Sequence, residues 1–182
     1  MKRQTVVSAA GATILLMGAL VVVPLARAGT PKCFGEKATK TIGSGASGHV
    51  YGTQGDDVIV GTTGYEAAVV VHGRDGHDRI CVNSPGAPLK LEGGDGRDKM
   101  KGNRAQFFGG AGGDRIIDWL GSGFAEGGPG NDRITDTGGQ DHFYGQGGDD
   151  YLDVSPQRGF AYGGPGTDTC VGNPQVKEGC EN

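Results

Sequence analysis

Seven times this chain repeats one nine-residue pattern: glycine, two turn residues, glycine, any residue, aspartate, any residue, an apolar residue, any residue. The copies are GTQGDDVIV from Gly52, GRDGHDRIC from Gly73, GGDGRDKMK from Gly93, GGAGGDRII from Gly109, GGPGNDRIT from Gly127, GQGGDDYLD from Gly145 and GGPGTDTCV from Gly163. A unit this short cannot bury an apolar face by itself, so copies must stack and share one continuous core.

The spacing predicts how they stack. First glycines are 21, 20, 16, 18, 18 and 18 residues apart, which settles into two nonapeptides per period. Eighteen residues suit one turn of a flattened roll with two strands and two bends, so successive motifs fall on the same edge. Position eight reads Ile59, Ile80, Met100, Ile116, Ile134, Leu152 and Cys170, apolar throughout, as an inward-facing strand row requires. Nine residues before the last five of these stand Leu91, Phe107, Ala125, Phe143 and Ala161, a second apolar row that alternates large with small and is expected to form the opposing sheet. The fold class expected is all-β: a parallel β-roll, or β-solenoid, with about 18 residues per turn.

With 38 glycines in 182 residues and few large apolar side chains, burial alone is a weak source of order, because glycine makes folding entropically costly. The motif offers another source. Its aspartates would lie about 5 Å apart along one edge, the spacing of neighbouring strands. Such a ladder of like charges is unfavourable until a cation neutralises it. Calcium suits this setting, since it accepts six to eight oxygens in loose geometry and irregular bend carbonyls can complete its shell.

The N-terminus reads as an export address. Lys2 and Arg3 precede an uncharged run from Gln4 to Ala26, and Ala26-Arg27-Ala28 places small residues at a cleavage site after Ala28. The run is long enough to span a membrane, but Pro24 and the small-residue end favour removal. Cleavage would take Lys2, Arg3 and Arg27 and no acid, lowering the formal charge by three from −4 to −7. That sign argues against a general nucleic-acid binder and for cations as guests. The expected product is secreted and extracellular, without membrane insertion.

Four cysteines in an exported chain suggest two bridges, with three possible pairings. Cys170 and Cys180 share a short tail, which favours a local bridge there and leaves Cys33 for Cys81. Both bridges would fall at the ends of the array, where unpaired faces need capping. Zinc is the alternative, but no C-x-x-C pair is present.

From Val50 to Val171 the chain resembles the RTX, or haemolysin-type calcium-binding repeat, family, and within it small secreted actinobacterial proteins made of little but repeats. The resemblance implies calcium ions held between turns by the position-six carboxylates, here Asp57, Asp78, Asp98, Asp114, Asp132, Asp150 and Asp168. Carbonyls of the glycine-rich bends would complete the shell: Gly93, Gly94 and Gly96; Gly109, Gly110 and Gly112; Gly127, Gly128 and Gly130; Gly145 and Gly148; Gly163, Gly164 and Gly166. The 20- and 16-residue steps around Asp98 point to an interruption of the ion column, which singles out Asp114, Asp132, Asp150 and Asp168. On the opposite edge only Asp141 and Glu66 share the position-six phase, so one column is expected rather than two.

Outward positions carry weaker signals. Position seven gives a basic stripe, Arg79, Lys99, Arg115 and Arg133, which reads either as a solvated face that softens the acidic edge or as a surface for an anionic polymer. Phe108, Tyr144 and Tyr162 share one phase and Phe124 and Phe160 another; the alternatives are a structural ladder or an exposed platform for a cell-wall polymer, glycan or protein. His49, His72, His77 and His142 form no H-E-x-x-H pair, and no G-x-S-x-G turn occurs, so no enzyme is expected. The expected division is a signal peptide at 1–28, an N-terminal cap at 29–49, the roll at 50–171 and a capping tail at 172–182.

Overall fold

The computed structural model describes residues 29–119, 123–154 and 159–181. The chain divides into two units, Met1–Thr30 and Pro31–Asn182, and the fold below is that of the second. The expected signal peptide lies outside the described residues.

All regular structure among the described residues is β. A short antiparallel hairpin, β1 (Lys32–Cys33) and β2 (Glu36–Lys37), opens the unit. Sixteen further strands then alternate between two sheets. The first sheet holds β3 (Lys40–Ile42), β5 (Val58–Thr62), β7 (Arg79–Asn83), β9 (Lys99–Gly102), β11 (Arg115–Asp118), β13 (Arg133–Asp136), β15 (Tyr151–Asp153) and β17 (Thr169–Val171). The second holds β4 (Gly48–Tyr51), β6 (Val69–Asp75), β8 (Leu89–Asp95), β10 (Ala105–Ala111), β12 (Phe124–Pro129), β14 (His142–Gly147), β16 (Phe160–Tyr162) and β18 (Val176–Glu178). Each strand pairs in parallel with the strands one full turn before and after it, which is the topology of a β-solenoid.

The core is the space between the sheets, and both apolar rows line it. Ile59, Ile80, Met100, Ile116, Ile134 and Leu152 are in register on the first sheet and fully buried, with Cys170 next in line. Leu91, Phe107, Ala125, Phe143 and Ala161 form the facing row and are equally buried. Alternation of phenylalanine with alanine keeps the layer filled, because a ring on one strand occupies the width its small neighbours leave. Each fully buried aliphatic contributes about 1.5–3 kcal/mol of transfer free energy.

Glycine acts in two ways within the bends. Nine of the fourteen bend glycines named above take positive φ: Gly94, Gly96, Gly110, Gly112, Gly128, Gly130, Gly148, Gly164 and Gly166. Gly110 shows why, since its φ of 106° is joined to a close stacking in which a Cβ would run into the carbonyl of Gly94 one turn earlier. The other five occupy position one and are needed for close approach rather than for φ.

The uneven steps are absorbed on one edge. The longer early turns carry their extra residues in the segments after β5 and β7, and the 16-residue turn shortens the link from β9 to β10 to Asn103 and Arg104. The motif edge therefore keeps its register. At the N-terminal end Cys33 is bonded to Cys81 across 48 residues, which fastens the β1–β2 hairpin to β7. At the other end Cys170 is bonded to Cys180 across ten residues. Both bridges pair as the sequence suggested.

Candidate metal centre

The seven aspartates form one ladder. The amide of Asp57 donates to Oδ1 of Asp78 (2.7 Å), that of Asp78 to Asp98 (2.7 Å), and that of Asp98 to Asp114 (2.8 Å). The series continues from Asp114 to Asp132 (2.7 Å), Asp132 to Asp150 (2.8 Å) and Asp150 to Asp168 (2.8 Å). The hydrogen-bond ladder has no break at Asp98, the place where the uneven steps point to an interrupted ion column. The insertions that suggested it lie on the opposite edge, where they leave the motif bends superposed.

From Asp78 to Asp168 each carboxylate spends one oxygen on this ladder and keeps the other inside. All seven aspartates are buried, and Oδ2 of Asp78, Asp98, Asp114, Asp132, Asp150 and Asp168 has no hydrogen-bond partner among the described residues. These oxygens lie against the Cα of the position-one glycine of their own motif. A Cβ on Gly93 would strike both Asp98 Oδ2 and the carbonyl of Gly109, and one on Gly145 would strike both Asp150 Oδ2 and the carbonyl of Gly163. Carboxylate and main-chain oxygens thus converge where only glycine leaves room.

Such crowding is electrostatically costly without a counter-ion. Burial pushes the carboxyls of Asp78, Asp114 and Asp150 up to about 6, and those of Asp98 and Asp132 up to about 7, against the hydrogen bond each accepts. Neighbouring carboxylates push the same way at Asp78, Asp98, Asp132 and Asp150. Among the described residues no three His, Cys, Asp or Glu side chains converge on one point that could hold a metal. An ion on this edge would therefore draw on few carboxylates and several carbonyls, a donor set that a large oxygen-seeking cation accepts and a small, strictly octahedral one does not.

The ends of the ladder use residues that the motif does not mark. At the first turn Asp57 Oδ2 accepts from the Thr53 amide (2.5 Å) and hydroxyl (2.9 Å), and Oδ1 from the Thr39 hydroxyl (3.1 Å). Burial raises its carboxyl, but these bonds and Lys40 outweigh it and hold the group below the usual range. At the last turn the amide of Asp168 donates to the carboxylate of Glu181, which the Cys170–Cys180 bridge holds in place. Glu181 thus continues the ladder from the tail, and only its place beside Cys180 could have hinted at this.

A second ladder runs through position five, which reads as variable in the sequence. Oδ1 of Asp56 accepts from the His77 amide (2.8 Å), Nδ1 of His77 from the Arg97 amide (2.8 Å), Oδ1 of Asn131 from the Asp149 amide (3.0 Å), and Oδ1 of Asp149 from the Thr167 amide (2.9 Å). What these four side chains share is an acceptor at one reach.

The opposite edge is less regular. Asp118, Asp136 and Asp141 are buried there, whereas Glu66 is exposed. Asp141 repeats one step of the ladder by accepting from the Gly123 amide. Asp118 stands at position one and Gly123 at position six, the reverse of the motif, and a Cβ on Gly123 would strike Asp118 Oδ2. Burial, then Asp136 and Asp118, push Asp141 up to about 8, and burial likewise raises Asp136.

On the outer face of the second sheet the aromatic phases form a continuous ladder. Phe108, Phe124 and Tyr144 pack at 5.4–5.5 Å between ring centroids, Tyr144 stacks on Tyr162 at 4.9 Å, and His142 stacks on Phe160 at 4.3 Å. His49 and His72 join a similar stack with Tyr51 near the N-terminal end. The Tyr144–Tyr162 and His142–Phe160 pairs are nearly parallel, whereas Phe108, Phe124 and Tyr144 meet at tilts of 38–43°; rings on adjacent strands thus pack on one another, which favours the structural reading over a stacking platform.

Residues 51–84 and 126–156 match the model of the RTX calcium-binding nonapeptide repeat, in four copies. No curated protein and no solved structure matches the chain. Over residues 51–84 and 126–156 the chain is thus similar to RTX calcium-binding nonapeptide repeats, and the aspartate ladder runs through both stretches and the turns between them.

Proposed function

We propose that this is a secreted calcium-binding β-roll in which Ca2+ seats between successive motif bends and drives folding. The observation that carries the reading is the file of buried Oδ2 atoms without a partner among the described residues, those of Asp78, Asp98, Asp114, Asp150 and Asp168 each crowding the same position-one glycine as a main-chain carbonyl of the next turn. Asp57, Asp78, Asp98, Asp114, Asp132, Asp150 and Asp168 would supply the carboxylates, and the position-one glycines the closest carbonyls. Several ions would bind, one between each pair of neighbouring bends. Weak sites suffice outside the cell, where calcium is millimolar, and their occupancy stabilises the roll by mass action. Two disulfides fit the oxidising compartment that an export signal implies. RTX repeat rolls are typically structural or calcium-binding units, and no catalytic role is proposed for this one.

Circular dichroism tests the reading. Chelator should abolish most of the β signal, and calcium but not an equal concentration of magnesium should restore it. Elemental analysis of protein purified in calcium should find several calcium ions per chain. A spectrum indifferent to chelator, together with calcium-free protein, would end the proposal.

A further inference from the structure

We propose that the outer face of the first sheet, from β7 to β13, binds an extended acidic polysaccharide along the axis of the roll. Arg79, Lys99, Arg115 and Arg133 are in register on four consecutive strands, so four cations stand in line at about the strand spacing of 4.8 Å. Positions six and seven point to opposite sides of the sheet, which separates these heads from the buried aspartates. Among the described residues none of the four forms an ion pair; the ion pairs present are His72 and Lys90 with Glu92, on the other sheet. The next outward row of the same strands adds Lys101 and no acid. A file of unpaired like charges on neighbouring strands is unfavourable in isolation. Its presence on a chain whose net charge is −4 marks a face built for an anion.

The chemistry beside the stripe selects the kind of anion. A groove of about 800 Å3 lies on the same sheet, and Lys101, Arg115 and Trp119 are among the residues that line it. Its lining adds one more cation, Lys32, and the neutral hydrogen-bonding groups of Thr41, Ser44, Thr62 and Asn83, and contains no acid. Trp119 is 47 % exposed, and the Lys101 ammonium lies 3.7 Å from its ring centroid. Hydroxyl and amide partners, an accessible indole and one cation per strand suit a hydroxylated chain with regularly spaced carboxylates. The advance of one sugar along an extended chain is close to the strand spacing, so successive uronates meet successive strands. The inference goes beyond the calcium reading and stands on a different face.

The test uses the full chain in calcium and a six-residue oligouronate, too short to gel. Trp119 is the sole tryptophan, so its fluorescence reports the groove directly. Saturable quenching or a spectral shift is expected, weakened about tenfold by Lys99→Glu with Arg115→Glu, and weakened again at high salt. A neutral oligosaccharide of equal length should have no effect. Circular dichroism of the same samples separates loss of the face from loss of the fold; should the Glu pair unfold, Lys99→Gln with Arg115→Gln replaces it. Absence of any response to the oligouronate overturns the proposal. So does undiminished binding by the folded variant, equal binding of the neutral oligosaccharide, or tighter binding of a single-stranded oligonucleotide. Because the chelator response is read separately, a failure here leaves the calcium reading standing, and the reverse.

Discussion

The amide of Asp114 donates to Oδ1 of Asp132 at 2.7 Å, across one complete turn of the roll. That bond divides the Asp132 carboxylate into two halves. One oxygen sets the stacking register, and the other is buried beside the Cα of Gly127 without a partner among the described residues.

The two halves can be separated by substitution. Asp132→Asn keeps an acceptor for the Asp114 amide but removes the charge, so it should leave a folded roll that binds less calcium. Asp132→Ala removes both and leaves the amide unsatisfied, at an added cost of about 1–3 kcal/mol. Calcium counting and urea unfolding of the pair of variants check this; equal calcium content in the Asp132→Asn variant and the parent would remove Asp132 from the site.

Acidity should replace calcium in part. Folded-state values of about 6 for Asp78, Asp114 and Asp150, and about 7 for Asp98 and Asp132, lie above the ordinary value of about 3.9. Groups raised in this way contribute stability that is fully present below about pH 4 and lost as the pH rises through 6 to 7. Asp57 is shifted the other way and opposes the trend weakly at the acid end. Metal-free protein should therefore show more β signal near pH 5 than near pH 8, and calcium should abolish that difference. Chelated protein equally disordered at both pH values would count against it.

Position one tolerates no side chain. Gly127→Ala would drive a Cβ into the carboxylate of Asp132, so it should cost about 1–3 kcal/mol even without metal and weaken calcium-induced folding further. Calcium titration followed by circular dichroism should show a higher midpoint than for the parent chain.

Position two offers the opposite case. Gln146 holds a φ of 77° where its ladder neighbours Gly128 and Gly164 hold 113° and 112°. Left-handed strain costs a non-glycine residue about 1–2 kcal/mol, partly offset by the entropy glycine loses on folding. Gln146→Gly should therefore stabilise the roll by about 0.5–1 kcal/mol, read as a higher urea midpoint with an unchanged slope.

Much of the roll was legible because its information is periodic. The position-eight row and the glycine–aspartate spacing predict two apolar rows, two parallel sheets and one edge of aligned carboxylates, and Ile116 and Phe143 sit where that period puts them. Strand alternation and bend chemistry are local, so one residue type at one phase is enough to state them.

Contacts between turns were decided only by the tertiary structure. The acceptors of position five look variable until stacking places Asp56 under the His77 amide, and Glu181 enters the ladder only because the Cys170–Cys180 bridge folds the tail back. The continuity of the hydrogen-bond ladder at Asp98 belongs to the same class: counting residues measures a whole turn, whereas register is set edge by edge, and the opposite bends took up the difference. Sequence period therefore determined which residues face inward, and three-dimensional stacking determined which atoms meet, because hydrogen bonds across turns join residues that are about eighteen positions apart and share no local signature.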